Sequence, residues 1–190
     1  MRKIVSFMHV SLDGLVAGPN GEMNWIHVDP EIFDYAAERT NAADTALYGR
    51  VTYDMMDAYW PTAPSKPNAS KHDIEHGNWY NQVEKLVISK SMDGQKKDKT
   101  TIIGHDIEKQ VTEQKNKAGK EIIIFGSPRA TQSLMEYNLV DEFWLFVNPI
   151  LLGTGMPLFK NIKTPVSLKL LKSTAFAGSG VVCLHYETVR

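Results

Sequence analysis

The order of hydrophobic and polar positions predicts alternating strands and helices along most of the chain. Short runs of β-branched and aromatic residues that stop at a glycine or a polar turn indicate strands. Apolar positions three and four residues apart indicate helices, and the triplet Asp29-Pro30-Glu31 marks one helix start with an N-cap, a proline and an acid in the first turn. The pattern predicts strands over residues 4–10, 45–48, 86–88, 102–103 and 122–125, and helices over residues 30–40, 50–58, 106–117 and from 128 onward.

Two stretches depart from this alternation. Residues 59–70 contain three prolines, which fix backbone dihedrals and remove hydrogen-bond donors, so a surface loop is predicted there. After Asn138, residues 142–147, 167–176 and 181–188 have the pattern of strands, the last two joined by a hairpin at 177–180. Strand–helix repeats require parallel strands covered by helices. The predicted fold class is therefore α/β: a central mixed, mostly parallel sheet flanked by helices, with an antiparallel C-terminal hairpin.

Length and composition narrow the class of protein. The 190 residues correspond to about one domain, so a single domain is predicted over residues 1–190. A formal net charge of -1 provides no positive field for nucleic acid or an anionic membrane. No apolar run approaches the roughly 20 residues of a membrane span. The single cysteine, Cys183, and a start without the apolar region of a signal peptide favour a cytoplasmic location.

Two predicted strand ends carry groups that bind anions. Gly49 allows close approach, Arg50 is a bidentate phosphate partner and Thr52 adds a hydroxyl. The second site follows the strand at 122–125, where a helix starts with Ser127 as its predicted N-cap and Arg129 in its first turn. The backbone donors expected there are those of Ser127, Arg129, Ala130 and Thr131. Two anion sites at one edge of the sheet indicate a diphosphate ligand.

A third strand end adds a cation. Ser89-Lys90-Ser91 places a lysine between two hydroxyls, which suits a further phosphate monoester and indicates NADP rather than NAD. Ligands of open α/β sheets bind outside the carboxyl ends of the strands, where all three features lie. Each feature alone also fits ordinary loop chemistry. Gly153-Thr154-Gly155 lacks the third glycine of a dinucleotide fingerprint and is predicted to be a turn packed on a neighbour.

The segment His72-Asp73-Ile74-Glu75-His76 matches the H-x-x-E-H pattern of inverted zinc proteases. A zinc hydrolase is therefore an alternative, but no further ligand is identifiable and Gly77 follows at once, so no metal site is predicted. The other histidines are interpreted as core or surface residues rather than as a relay: His9, His27, His105 and His185.

Five segments together resemble a known family. They are residues 11–17 (SLDGLVA), 47–53 (LYGRVTY), 125–127 (FGS), 141–142 (DE) and 149–159 (PILLGTGMPLF). In this order they are similar to the bacterial dihydrofolate-reductase-like family, which is related to the reductase domain of the bifunctional riboflavin biosynthesis deaminase-reductase. The resemblance covers nearly the whole chain.

The resemblance implies an α/β fold that binds NADPH across the strand ends and delivers hydride to a heterocycle such as a pteridine or an aminopyrimidine. It implies that the nicotinamide carboxamide meets backbone groups of Val16 and Ala17. The implied residues for the phosphates and the adenosine end are Gly49, Arg50, Val51, Thr52, Ile88, Ser89, Lys90, Ser91, Phe125, Gly126, Ser127, Arg129, Ala130 and Thr131.

The chain departs from the family pattern at three positions. Phe33 stands where folate reductases place an acid on the first helix, with Asp34 next to it. Leu15 replaces the basic residue usual in riboflavin-pathway relatives, and Gly126-Ser127 replaces a Gly-Gly pair that carries a cis peptide in dihydrofolate reductases. The catalytic acid is therefore left unassigned.

Three residues are candidates for substrate contact: Asp13, Trp25 and Phe33. Trp25, Phe33 and Trp60 either line an apolar slot for a flat ring or belong to the core. Asp13 either orients the substrate or caps its turn, and the turn is the favoured interpretation.

The sequence thus predicts an NADPH-dependent reductase of a small heterocycle. The alternative is an NADP-binding protein of the same fold without turnover. Relatives in the family commonly form homodimers, so a homodimer is expected, with the apolar run over residues 143–152 as the candidate interface.

Overall fold

Residues 1–190 are described by a computed structural model. One eight-stranded sheet collects strands from both ends of the chain, in the order β5-β4-β3-β6-β1-β7-β10-β9, and a two-stranded sheet pairs β2 with β8. The strands are β1 Ile4–Ser11, β2 Leu15–Ala17, β3 Ala43–Gly49, β4 Glu84–Ile88, β5 Thr100–Ile103, β6 Glu121–Phe125, β7 Glu142–Asn148, β8 Met156–Pro157, β9 Leu168–Phe176 and β10 Val181–Thr188. The helices are α1 Pro30–Ala42, α2 Arg50–Tyr59, α3 Lys71–Gln82, α4 Ile107–Asn116 and α5 Pro128–Glu136.

The predicted fold class is confirmed. Strands β5, β4, β3, β6, β1 and β7 are parallel to one another, and β10 and β9 complete the sheet as an antiparallel pair. The carboxyl ends of the six parallel strands consequently lie along one edge of the sheet. None of the five helices has the length and apolar composition that a membrane crossing demands.

The central strands are apolar because both of their faces are covered. Alternate residues of a strand point to opposite faces, so Val5 and Phe7 pack into one hydrophobic cluster while Ile4 and Met8 pack into the other. Asp29 accepts a hydrogen bond from the backbone N–H of Ile32, as expected for the N-cap of α1. These packed layers hold the carboxyl edge of the sheet in place.

Helix α3 runs through Gly77: a Cβ at residue 77 would lie 2.5 Å from Pro64 Cδ, so the glycine admits the proline-rich loop against the helix. Most of the apolar run over 143–152 belongs to β7, which lies inside the sheet between β1 and β10, and the apolar character of β7 reflects burial within the subunit. Leu151, beyond the strand, is exposed, and the expected homodimer stays a prediction.

Candidate functional site

A cavity of about 420 Å³ lies at the carboxyl ends of β3, β4 and β6. The sheet brings its parts together from distant segments, because parallel strands end at the same edge. Eight of the predicted phosphate and adenosine contacts line it, together with Pro128 and Met156: Gly49, Arg50, Val51, Thr52, Ile88, Ser127, Arg129 and Ala130. We call it the edge cavity.

Two helices begin at the edge cavity, and both starts are suited to an anion. Neither α2 nor α5 has a side-chain cap hydrogen bond or an acidic residue in its first turn. The other three helices each carry an acid there: Glu31 in α1, Asp73 in α3 and Glu108 in α4. Because an acid neutralises the positive end of the helix dipole, only α2 and α5 leave theirs uncompensated.

Hydrogen bonds within the protein already use some of the groups expected to donate to a phosphate at the start of α5. The hydroxyl of Ser127 does not cap α5; it accepts a hydrogen bond from the Gly49 backbone N–H at 3.0 Å and ties the two helix starts together. The Thr131 N–H donates to the Ser127 carbonyl, and the Thr131 hydroxyl lies 3.2 Å from that of Ser6. Thr131 is fully buried and its backbone N–H is already used within the helix, and its expected contact with a phosphate stays a prediction.

Two arginines stand at the mouth of the edge cavity. Arg50 is exposed and forms an ion pair with Asp54 one helical turn away, at 3.1 Å. Such an exposed pair contributes little energy, so a phosphate can displace the carboxylate. Arg129 is also exposed and has no ionic partner in the protein. Both guanidinium groups are therefore available to an anion.

The remaining predicted cofactor residues do not line this cavity. Ser89 and Ser91 pair their hydroxyls at 3.2 Å, and Lys90 lines a separate depression with His105 and Tyr137. Val16 and Ala17 belong to β2 and are buried. Their expected contacts with a cofactor stay predictions.

The Gly153-Thr154-Gly155 turn packs on β2, as expected. A Cβ at residue 155 would lie 2.1 Å from the Ala17 carbonyl oxygen. The peptide bond between Gly126 and Ser127 is trans, and both residues have positive φ, 60° and 28°. The chain turns sharply there between the end of β6 and the start of α5.

A second cavity, of about 160 Å³, lies beside the first and is mostly apolar. We call it the aromatic pocket. Its walls come from α1, α2, α3 and the ends of β1 and β6, and its lining residues are Phe7, His9, Ile32, Phe33, Ala36, Ala37, Thr40, Met56, Trp60, His72, His76 and Phe125. Thr52 of the edge cavity and Met56 of the aromatic pocket are one turn apart on α2, so the two cavities are neighbours.

The structure separates the three candidate substrate residues. Phe33 lines the aromatic pocket, as does Trp60. Trp25 lines neither cavity: it is buried, and its indole N–H donates to the Glu22 carbonyl in the same loop. Asp13 caps its turn by accepting hydrogen bonds from the Ser11 hydroxyl and from the backbone N–H groups of Leu152 and Gly153.

The acid beside Phe33 points away from the aromatic pocket. Asp34 is exposed and pairs with Lys71 at 2.7 Å. None of the twelve lining residues is Asp, Glu, Lys or Arg. The pocket therefore offers no charged partner to a ligand.

His9 of β1 and the pair His72 and His76 of α3 meet at the aromatic pocket. The sequence analysis did not predict this position for His9. The rings of Phe33 and His72 stack at 4.0 Å, and those of Trp60 and His76 lie 4.2 Å apart. His9 lies 3.4 Å from the Asn148 side chain and stacks on Phe146. The i, i+4 pair on α3 contacts aromatic rings, and no group of three His, Cys, Asp or Glu suited to a metal is present.

Burial keeps these histidines neutral. Desolvation lowers the pKa of His76 to about 3 and that of His9 to about 4, and it also lowers the pKa of His72. A neutral imidazole has one N–H donor and one acceptor nitrogen. The polar groups of the pocket can therefore hydrogen-bond without carrying charge at neutral pH.

Comparison with solved structures places this fold among the dihydrofolate-reductase-like proteins. A Shewanella sp. PV-4 protein named for riboflavin biosynthesis superposes with a TM-score of 0.72 at 23% identity, covering 99% of both chains. Dihydrofolate reductase from Enterococcus faecalis, complexed with NADP(H) and RAB-propyl, superposes with a TM-score of 0.66 at 13% identity, covering 99% of this chain and 97% of that one. At these identities the likeness concerns the fold.

The sequence comparisons identify the family. The model described as the RibD C-terminal domain matches residues 2–182, and the chain belongs to this family. A Bacillus subtilis (strain 168) protein, "Uncharacterized protein YyaP", is 32% identical over 188 residues, which is 98% of this chain and 95% of that protein.

Proposed function

We propose that this protein is an NADPH-dependent reductase that transfers hydride to a small heterocycle. The observation that carries the proposal is the edge cavity, where two uncapped helix starts and two arginines surround a space next to an apolar pocket. A diphosphate suits the first space, and a flat ring suits the second. Relatives with this fold include a reductase complexed with NADP(H), which supports the same assignment.

The residues of the edge cavity fit the cofactor's phosphates. First-turn N–H groups of α2 and α5 are free to donate, and no carboxylate of either first turn opposes an anion. Arg50 and Arg129 add charge-assisted hydrogen bonds. When bound, NADPH supplies a hydride, while the protein fixes its position and excludes water from the aromatic pocket.

One observation favours the alternative of an NADP-binding protein without turnover. The aromatic pocket contains no carboxylic acid, because Phe33 occupies the inward position of α1 and Asp34 is paired with Lys71 outside. The proton that must accompany hydride transfer then comes from solvent, from the substrate or from a neutral side chain. The two functions differ only in whether an acceptor is reduced.

The test is an equilibrium titration with NADPH and NADH, followed by cofactor fluorescence. Removing Arg129 in Arg129→Ala deletes a charge-assisted contact worth about 1.5–3 kcal/mol, so the NADPH Kd is expected to rise roughly 10- to 100-fold. Arg50→Ala is expected to weaken NADPH less, because Asp54 already competes for that guanidinium. NADH is expected to bind more weakly than NADPH.

Lys117→Ala is the matched control for loss of a positive charge. Lys117 is exposed and lies between α4 and β6, at the opposite edge of the sheet. Its variant is expected to bind NADPH like the wild type. If the wild type binds neither NADPH nor NADH, the cofactor proposal fails. Tight NADPH binding without reduction of any acceptor would leave the non-enzymatic alternative.

We further propose that two copies pair through the outer strand β9. This edge strand exposes Leu168, Leu170 and Leu171, a hydrophobic run that an isolated subunit leaves in water. Sedimentation equilibrium is expected to give twice the 21.4 kDa chain mass, and Leu170→Lys is expected to return it to 21.4 kDa. A wild-type mass of 21.4 kDa at micromolar concentration would remove the dimer.

A further inference from the structure

The aromatic pocket carries information about the substrate that the family resemblance does not. It is closed on one side by α3, whose His72 and His76 face it, and on the other by Phe7 and Phe125 at the strand ends. Neither His72 nor His76 makes a hydrogen bond within the protein; aromatic contacts hold both rings. His76 is only 9% exposed and His72 is partly exposed, so the pocket wall carries two imidazole rings whose nitrogens have no protein partner.

Polar groups at a cavity wall that no protein group satisfies are available to a ligand. The two imidazole rings are 5.4 Å apart at centroid level, one helical turn from each other. A single flat ring lying against both can place two adjacent polar atoms on them. Each neutral imidazole provides one donor and one acceptor, so a ring edge with alternating N–H and C=O groups matches the pair.

The pocket also excludes classes of ligand. No lining residue is charged, Asp34 pairs with Lys71, and Asp73 accepts hydrogen bonds from Tyr59 and Ser70. Glu75, the other acid near His72, is exposed on α3 and does not line the pocket. A charged ring would enter an apolar space without a counter-ion, which is costly. The volume of about 160 Å³ is below the roughly 300–1,000 Å³ of pockets for drug-sized ligands, so long substituents do not fit inside.

We propose that the aromatic pocket binds an uncharged, flat heterocycle whose ring N–H and C=O edge hydrogen-bonds to His72 and His76, and that it discriminates against the same ring carrying a charge. This substrate class rests on the proposed function, since the ring would be the hydride acceptor beside the edge cavity. Phe33 and Trp60 contribute stacking surface, and the two histidines determine orientation.

Three pteridines of one scaffold provide the probes. They are 2,4-dioxopteridine, which is uncharged, its 6-carboxylate, which is an anion, and its 6-carboxamide, which is uncharged and has nearly the same size as the carboxylate. Binding is measured by pteridine fluorescence without any nucleotide present. The dioxo compound and the carboxamide are each expected to bind at least about 10-fold more tightly than the carboxylate.

The variants test the role of the histidines. His76→Phe retains the aromatic contacts with Trp60 but removes both nitrogens, and it is expected to weaken 2,4-dioxopteridine by about 10-fold. His76→Gln restores a donor and an acceptor, and it is expected to recover most of that loss. His105→Phe, at an exposed histidine outside the pocket, is the matched control and is expected to bind like the wild type. If His76→Phe fails to fold by circular dichroism, His72→Phe and His72→Gln provide the same comparison.

Unchanged binding in His76→Phe and His72→Phe would overturn the inference, as would tighter binding of a charged analogue or no binding of the dioxo compound. These outcomes are separate from failure of the reductase proposal. If NADPH does not bind but the dioxo compound binds in a histidine-dependent way, the reductase proposal fails and the ligand class stands. If NADPH binds and the dioxo compound does not, the ligand class alone fails.

Discussion

The variant Gly155→Ala tests how one added methyl group disturbs the packing of the glycine turn on β2. The φ of Gly155 is +150°, a region that side chains rarely adopt, and a Cβ there would lie 2.1 Å from the Ala17 carbonyl oxygen. The obstructing atom is backbone, so it cannot rotate away. In Gly155→Ala, β2 must therefore separate from β8, with which Ala17 pairs.

The magnitude follows from these two effects. The unfavourable φ costs about 1–3 kcal/mol, and losing the few hydrogen bonds of a short strand pair adds about 1 kcal/mol each. A destabilisation of about 4 kcal/mol is a large part of the 5–15 kcal/mol typical of a domain. For a chain of this length it lowers Tm by roughly 8–16 °C, at about 2–4 °C per kcal/mol.

Gly153→Ala is the control within the same turn. Its φ is +74°, but a Cβ there meets nothing within 4 Å, so only the conformational cost of about 1–2 kcal/mol applies. Thermal unfolding by circular dichroism compares the two variants. If both melt within about 1 °C of each other, the close packing of the glycine turn on β2 is not what fixes residue 155.

Further predictions concern stability and its dependence on pH. Gly77→Ala is expected to lower Tm by several degrees, since its Cβ would lie 2.5 Å from Pro64 Cδ. Gly178→Ala separates this clash from a general glycine effect, because Gly178 also lacks a positive φ and its Cβ would make only an ordinary contact at 3.8 Å. Burial lowers the pKa of His76 from 6.5 to about 3, so the unfolded chain binds the extra proton and the free energy of unfolding falls as pH drops below 6.5. At pH 5 this loss amounts to about 2 kcal/mol. In urea unfolding, His76→Phe is therefore expected to show a smaller difference in stability between pH 7 and pH 5 than the wild type. The Ser11 hydroxyl, followed by the backbone N–H of Gly153, lowers the pKa of Asp13 from 3.8 to about 2, so its contribution is present above about pH 4 and is lost as pH falls through 2. Asp13→Asn is accordingly expected to melt below the wild type at pH 7 and with it near pH 2; a pH-independent gap would contradict the role of the carboxylate.

The local parts of this protein follow from its sequence because they depend on neighbours along the chain. The cap of α1, the strands β3 and β6 and the hairpin of β9 and β10 arise from patterns of a few residues. The edge cavity was predictable for a related reason: strand ends in a parallel sheet meet at one edge, so Gly49, Arg50 and Arg129 converge whatever the details of packing.

Tertiary structure alone decided what each side chain meets. Gly77 is needed within α3 because Pro64 packs against the helix there, and the buried Thr131 hydroxyl meets that of Ser6 on β1. His9 and His76 share a pocket only after β1 and α3 are brought together, and their neutrality results from the burial that follows. The sequence thus determined the elements and the anion-binding edge, since short-range chemistry specifies both. The aromatic pocket depended on the three-dimensional packing, because desolvation and contact are properties of the folded chain.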